Sequence, residues 1–153
     1  MEEKYKAPRV SEHSEQANFI STVLAKYSHH DDFIKEVLFA VPNGSWLAGR
    51  NPWALFNKFA AEGFRKGVSD LIYLQARGPW SCLAIEMKAL DRKGKKDAVS
   101  EDQQIFIDAV KSVDGLAVAC FGCDEAVNIF DQYMRRPFIH RAKLINLIQP
   151  KES

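Results

Sequence analysis

Asp70, Glu86 and Lys88 are the side chains of this sequence whose types and spacing best fit a chemical role. Asp70 comes directly before the apolar run 71–74, and Glu86 and Lys88 lie in a second apolar run, 83–88, with one residue between them. Side chains alternate between the faces of a strand, so Glu86 and Lys88 are expected on one face and their apolar neighbours on the other. Charges in a buried strand are costly unless they are paired. Two carboxylates that bind a divalent cation beside an ammonium would remove this cost and form a hydrolytic site.

Hydrolysis of a phosphodiester fits this group of residues. The reaction needs a cation that holds the phosphate and lowers the pKa of an attacking water. Hard cations prefer oxygen ligands, so Asp70, Glu86 and the main-chain carbonyl of Met87 are candidate ligands. Lys88 would orient or deprotonate the water and offset the charge that develops on the phosphate. For Glu86 or Lys88 alone, an edge position or a simple ion pair is the plainer interpretation.

Caps, breakers and apolar spacing predict the elements that must position these residues. Helices are predicted within residues 12–27, 52–63, 101–115 and 124–136. Strands are predicted at 37–41, 70–75, 81–88 and 116–121, the middle two joined as a hairpin. Trp53 has the spacing of a core residue on the second helix. The order αβαββαβα predicts an α/β fold with a mixed sheet flanked by helices.

Composition places this chain among globular domains. Its 153 residues, 46% of them hydrophobic, suit one domain with a real core. No apolar stretch approaches the ~20 residues needed to span a bilayer, and the N-terminus does not resemble a secretory signal. Three cysteines, an odd number, fit a reducing cytosol better than a disulfide scaffold. The net charge is only +1, so binding to nucleic acid must depend on local patches.

A longer series of segments resembles the VRR-NUC (virus-type replication-repair nuclease) domain of the PD-(D/E)XK nuclease superfamily. These segments are, in order, Val41–Gly44, Ala61–Ile72, Ala84–Lys88, Ser100–Gln103 and Asp124–Ala126. The resemblance implies a restriction-endonuclease-like fold in a single domain, 1–153, with a core at 12–134 and a C-terminal extension at 135–153. Ser69 departs from the proline that the family usually has before the aspartate, a residue that shapes the backbone and carries no chemistry.

The resemblance also implies roles for individual residues. Lys88 would be the catalytic lysine, acting with Asp70 and Glu86. Gln103 matches a helix glutamine that helps to hold the active site, and it shares a helix face with Phe106 and Ile107. The implied metal-binding set is Asp70, Glu86, the Met87 carbonyl and Glu15, which matches a glutamate of the first helix.

The activity implied by the resemblance is that of a Mg²⁺- or Mn²⁺-dependent DNase acting on branched DNA. Standalone viral or prophage members resemble homodimers that cut four-way (Holliday) junctions, whereas members fused to larger repair proteins cut flaps. The sequence leaves both substrates open. The expected location is the cytoplasm of a bacterial or phage-infected cell, with no membrane partner.

Basic and turn residues around the site are expected to contact DNA phosphates. They are Asn43, Gly44, Arg65, Lys66, Arg92, Lys93, Lys95 and Lys96. A solvated surface loop is the alternative interpretation of the lysines. Trp46 is a candidate exposed aromatic contact for DNA or a second subunit, and Phe138 is a candidate contact for a second subunit. Cys120 and Cys123 support a rival of another class, a non-catalytic DNA-binding or thiol/zinc module.

Overall fold

The structure is a computed structural model, and it describes residues 10–27, 34–42 and 52–138. Its elements, in chain order, are α1 Glu12–Tyr27, α2 Ile34–Val37, β1 Leu38–Ala40, α3 Pro52–Ala61, β2 Leu71–Tyr73, β3 Leu83–Lys88, α4 Glu101–Ser112, β4 Leu116–Phe121 and α5 Cys123–Met134. A turn of 3-10 helix, Leu90–Arg92, follows β3. The predicted order is confirmed, with α2 as an additional short helix. None of the helices in these ranges is long and apolar enough to cross a membrane.

The four strands form one mixed sheet in the order β1-β2-β3-β4. β1 pairs with β2, and β2 with β3, in antiparallel orientation, whereas β3 and β4 are parallel. Leu71 lies opposite Ile85, so Asp70, one residue earlier, arrives opposite Glu86. β3 is an inner strand, and all of its residues are buried. The sheet therefore brings the first acid to the buried strand that carries the second acid and the lysine.

The two faces of the sheet carry separate apolar clusters. The odd-numbered residues of β3 join the larger cluster, which also contains Phe19 of α1. Ala84 joins a smaller cluster with Ile107 of α4 on the opposite face. Because strand side chains alternate, Glu86 and Lys88 lie on the α4 face with Ala84. The predicted separation of charged and apolar side chains along β3 is therefore confirmed.

Helix α3 packs differently from the sequence-based expectation. Trp53, predicted in the core, is 73% exposed, so that prediction is wrong. Among the described side chains of α3 none is buried, and Phe56 and Phe59 are only half-buried. Apolar spacing identifies a potential inner face of a helix, but only tertiary packing decides whether another element covers that face.

Candidate active site

Asp70 lies directly before β2, where its carboxylate continues the hydrogen bonding of the sheet. Its Oδ2 accepts a hydrogen bond from the Met87 backbone N–H at 2.7 Å. Its own carbonyl oxygen accepts from the N–H of Val41 at 2.8 Å, which fixes the backbone on the other side. The N–H and C=O of one strand residue point to the same side of the strand. The Met87 carbonyl therefore points to the β2 side of β3, where the Asp70 carboxylate lies.

Glu86 is the centre of a buried polar cluster. It is 1% exposed, and Lys88 beside it is 7% exposed. Glu86 Oε1 accepts hydrogen bonds from Lys88 Nζ, at 3.0 Å, and from the side-chain amide of Gln103. Its Oε2 is buried and receives no hydrogen bond from a donor within the described ranges, although the carboxyl groups of Glu86 and Asp70 lie within hydrogen-bonding reach of each other. Burial, and then the nearby negative charge of Asp70, raise the pKa of Glu86 to about 7, although Lys88 opposes the shift.

Gln103 is held at both ends of its amide. Ser100 begins α4 with a capping box, in which the Gln103 side-chain oxygen accepts from the Ser100 N–H at 2.9 Å. The amide nitrogen is thereby directed at Glu86 Oε1. The cap that starts the helix thus also orients the buried carboxylate. The predicted start of this helix after Ser100 is confirmed.

Gly67 allows the chain to cross the first turn of α4 on its way to Asp70. Its φ is +75°, and a Cβ there would lie 2.3 Å from the carbonyl carbon and oxygen of Asp102. Only glycine combines this backbone conformation with so close an approach. The crossing holds the segment that ends in Asp70 against the helix that carries Gln103.

Glu15 does not join the acid pair. Its Oε2 accepts a hydrogen bond from the N–H of Cys123 at 2.7 Å, in the first turn of α5. An acid is favourable there because the first N–H groups of a helix have no partner within the helix. The part of the chain that the structure describes has no group of three or more His, Cys, Asp or Glu side chains placed to hold a metal. The structure therefore does not support Glu15 as a ligand beside Asp70 and Glu86, because its carboxylate caps α5 instead.

The remaining donors fit a hard divalent cation. Asp70, Glu86 and the Met87 carbonyl supply oxygen atoms, which Mg²⁺ and Mn²⁺ prefer. Buried acceptors normally receive a hydrogen bond, so the Oε2 of Glu86, which no donor in the described structure reaches, calls for an explanation. A bound cation would give this oxygen a partner and would balance the charges of the two carboxylates.

A cleft of about 540 Å³ adjoins the acid pair. Its lining includes Phe56, Phe64, Arg65, Lys66, Gly67 and Gln103, and we call it the Phe56 cleft. Arg65 donates hydrogen bonds to the carbonyls of Ala60 and Phe64, at the end of α3. The structure thus brings the predicted DNA contacts Arg65 and Lys66 close to the site. Phe56 and Phe64 are not among the predicted site residues; the sequence signal for them is two aromatic residues that flank the helix end before Arg65-Lys66.

The other predicted DNA contacts are distributed more loosely. Arg92 pairs with Asp97 at 3.0 Å, and Lys93 pairs with Glu125 at 2.8 Å, so an acid accompanies each of these charges. Lys95 is exposed on the same loop, as is Lys96. Three further predicted contacts lie outside the described residues, namely Asn43, Gly44 and Trp46.

The cysteines give no support to a thiol or zinc module. Cys120 is fully buried, and burial raises its pKa to about 12. Burial also raises the pKa of Cys123. Reactive thiols need a lowered pKa, and the described residues contain no metal-binding group to which a cysteine could belong. Cys120 packs as a small apolar residue of the core, as predicted.

Comparisons with known proteins agree with this fold. The family model described as "VRR-NUC domain" matches residues 11–124. A solved structure described as "VRR_NUC domain protein" is 24% identical, with a TM-score of 0.59 over 84% of this chain and 91% of that chain. Likeness at this identity shows the fold, a mixed sheet flanked by helices, as predicted from the sequence. No curated protein matches the chain.

Proposed function

The chain belongs to the VRR-NUC domain family, which indicates a nuclease of the PD-(D/E)XK type, and we propose that it is a divalent-metal-dependent endonuclease of branched DNA. The buried cluster around Glu86 carries this proposal. One oxygen of Glu86 bonds both Lys88 and Gln103, whereas the other is buried and receives no hydrogen bond from a donor among the described residues. Asp70, whose charge raises the pKa of Glu86, supplies the second carboxylate. Such a pair is built to be completed by a cation.

Each residue of the cluster would have a distinct task. Asp70, Glu86 and the Met87 carbonyl would hold Mg²⁺ or Mn²⁺, which would neutralise phosphate charge and lower the pKa of the attacking water. The Lys88 ammonium, 3.0 Å from Glu86 Oε1, would orient the water and stabilise the negative charge of the transition state. Gln103 would keep the Glu86 carboxylate in one orientation, since its amide is fixed by the helix cap.

We further propose that two copies act together on four-way junctions. A homodimer with a two-fold axis presents two equivalent sites, which suits a junction with two symmetric strands to cut. Phe138, 42% exposed, is a candidate contact between copies. A mass near that of the 17.4 kDa monomer by light scattering, at working concentration, would contradict this part of the proposal.

The decisive experiment is cleavage of labelled four-way junction, flap and duplex DNA in Mg²⁺, in Mn²⁺ and in EDTA. We expect cleavage only with metal, and the fastest cleavage for the four-way junction. Faster cleavage of the flap would instead identify flaps, the alternative substrate, as the preferred DNA. Lys88→Ala should lower the rate by about 10²-fold or more while DNA binding is largely retained. Lys111→Ala, on the exposed end of α4, is the matched control and should cleave normally. Absence of metal-dependent cleavage of every substrate would reject the proposal.

A further inference from the structure

We infer that the Phe56 cleft receives one unstacked nucleotide of the DNA, next to the phosphate that is cut. The inference rests on the proposed function and names the feature of branched DNA that the site would select.

The position of the cleft makes its occupant a neighbour of the acid pair. Gln103 lines the cleft, and the same side chain donates a hydrogen bond to Glu86. Gly67, also in the lining, is three residues before Asp70 and touches the backbone of α4. A single side chain therefore separates the cleft from the carboxylates. A nucleotide in the cleft would be adjacent to a phosphate at the acids.

The walls combine the two kinds of group that a nucleotide needs. The rings of Phe56 and Phe64 are nearly perpendicular, at 87°, with centroids 5.9 Å apart, so the wall presents aromatic surface in two directions. Aromatic faces bind unstacked bases of any sequence. The ammonium of Lys66 lies over the Phe56 ring, 4.8 Å from its centroid, so a base that stacks on that face would displace the ammonium toward the adjacent phosphate.

The size of the cleft suits a single nucleotide better than paired DNA. Its volume of about 540 Å³ lies within the range of small-molecule pockets, which suits one nucleotide and not a stacked duplex. A base must leave the stack to enter, and unstacking costs least where pairing is already broken. Branch points contain such bases, so the cleft would favour branched DNA over continuous duplex.

The aromatic walls are fixed by the way α3 ends. Gly63 has a φ of +102°, and the N–H of Phe64 bonds the Phe59 carbonyl at 2.8 Å, which closes the helix with a left-handed glycine. This turn folds Phe64 back against Phe56. The Arg65 guanidinium bonds two carbonyls at the same helix end. The cleft is therefore formed before DNA arrives, which lowers the entropic cost of binding.

The test is a binding cycle between the protein and the DNA, run in EDTA so that no cleavage occurs. Each nucleotide around the branch of a four-way junction is replaced in turn by an abasic residue. At one position we expect wild-type binding to weaken about tenfold, the effect of losing one stacked base. Phe56→Leu should weaken binding of the intact junction to a similar degree and should be insensitive to the abasic residue at that position. Phe56→Tyr keeps the aromatic face and should retain the sensitivity.

Phe59→Leu is the matched control, because it makes the same change on the same helix at a residue outside the lining of the cleft. It should respond to the abasic residue as the wild type does. Thermal unfolding of each variant checks that it is folded, and Phe64→Leu replaces Phe56→Leu if the latter is not.

The inference is overturned if the wild type does not bind the junction. It is also overturned if every abasic residue that weakens binding by the wild type weakens binding by the cleft variant equally. It is also overturned if the cleft variant and Phe59→Leu behave alike. Coupling at Phe56 without any metal-dependent cleavage would reject the nuclease and keep the cleft. Cleavage without coupling would reject the cleft alone.

Discussion

Replacing Glu86 with glutamine should change how the stability of the metal-free protein depends on pH. The pKa of Glu86 rises from its ordinary value of 4.5 to about 7, because of burial and the charge of Asp70. Between these values the folded protein keeps a proton that the unfolded chain releases. The stabilising contribution of the protonated Glu86 side chain is therefore complete below about pH 4.5. It is lost as the pH rises through 7, because the folded protein must then bury the charged form. At about 1.4 kcal/mol per pKa unit, the loss is about 3 kcal/mol for a side chain that is 1% exposed.

The assay is urea unfolding in EDTA at several pH values from about 4 to 8, with Glu86→Gln compared with the wild type. As the pH rises across this range, the free energy of unfolding of the variant should increase relative to that of the wild type by about 3 kcal/mol, because glutamine carries no charge. Mg²⁺ added at the upper pH should stabilise the wild type and not the variant. Glu62→Gln, at an exposed position, is the control and should track the wild type. If the free energies of unfolding of Glu86→Gln and the wild type change with pH in parallel, the buried charge of Glu86 does not destabilise the metal-free protein, and the reasoning is refuted.

Three further predictions concern single positions. Ser69 is fully buried, and its hydroxyl has no partner in the described structure, so Ser69→Ala should raise the free energy of unfolding in urea by about 1 kcal/mol. Gly67→Ala combines a positive φ with a clash on the α4 backbone, so we expect a loss of about 3 kcal/mol or more in thermal unfolding and reduced DNA cleavage. Burial alone would raise the pKa of Asp131, but hydrogen bonds from Lys26 and Tyr27 lower it. Asp131→Asn should therefore reduce the free energy of unfolding by about 2 kcal/mol at neutral pH. This last effect should shrink as the pH falls, because the wild type itself loses the charged form.

Local rules predicted the parts of the site that local structure fixes. Ser100 and Gln103 form a capping box within four residues, so the start of α4 and the inward face of Gln103 could be predicted from the sequence. The hairpin pairs β2 with β3, and charged and apolar side chains alternate at the end of β3, so Asp70 and Glu86 are expected to meet and do lie opposite each other, one residue beyond the pair Leu71 and Ile85. These predictions needed only neighbouring residues and the alternation of strand side chains.

The parts that could not be predicted depend on packing between distant elements. Glu15 is an acid in the first turn of α1, and nothing in its neighbours shows that its carboxylate reaches the N-terminus of α5. Trp53 has the spacing of a core residue, but whether α3 is covered depends on elements far away in sequence. Phe56 becomes part of a cleft only because Gln103, from the distant helix α4, lines the same space. In each case the deciding partner is absent from the local sequence.

The two oxygens of Glu86 explain why stability and cation binding should be linked. Oε1 receives donors from Lys88 and Gln103, whereas Oε2 receives none from the described residues and lies near the charge of Asp70. The fold therefore fixes the orientation of the carboxylate through one oxygen and leaves the other in an unfavourable environment. A cation that bonds the second oxygen would reverse the destabilisation that burial causes, so the same free energy that weakens the metal-free fold strengthens binding of the ion. Removing the charge of Glu86 should thus make the protein more stable and, for the same reason, unable to respond to the metal.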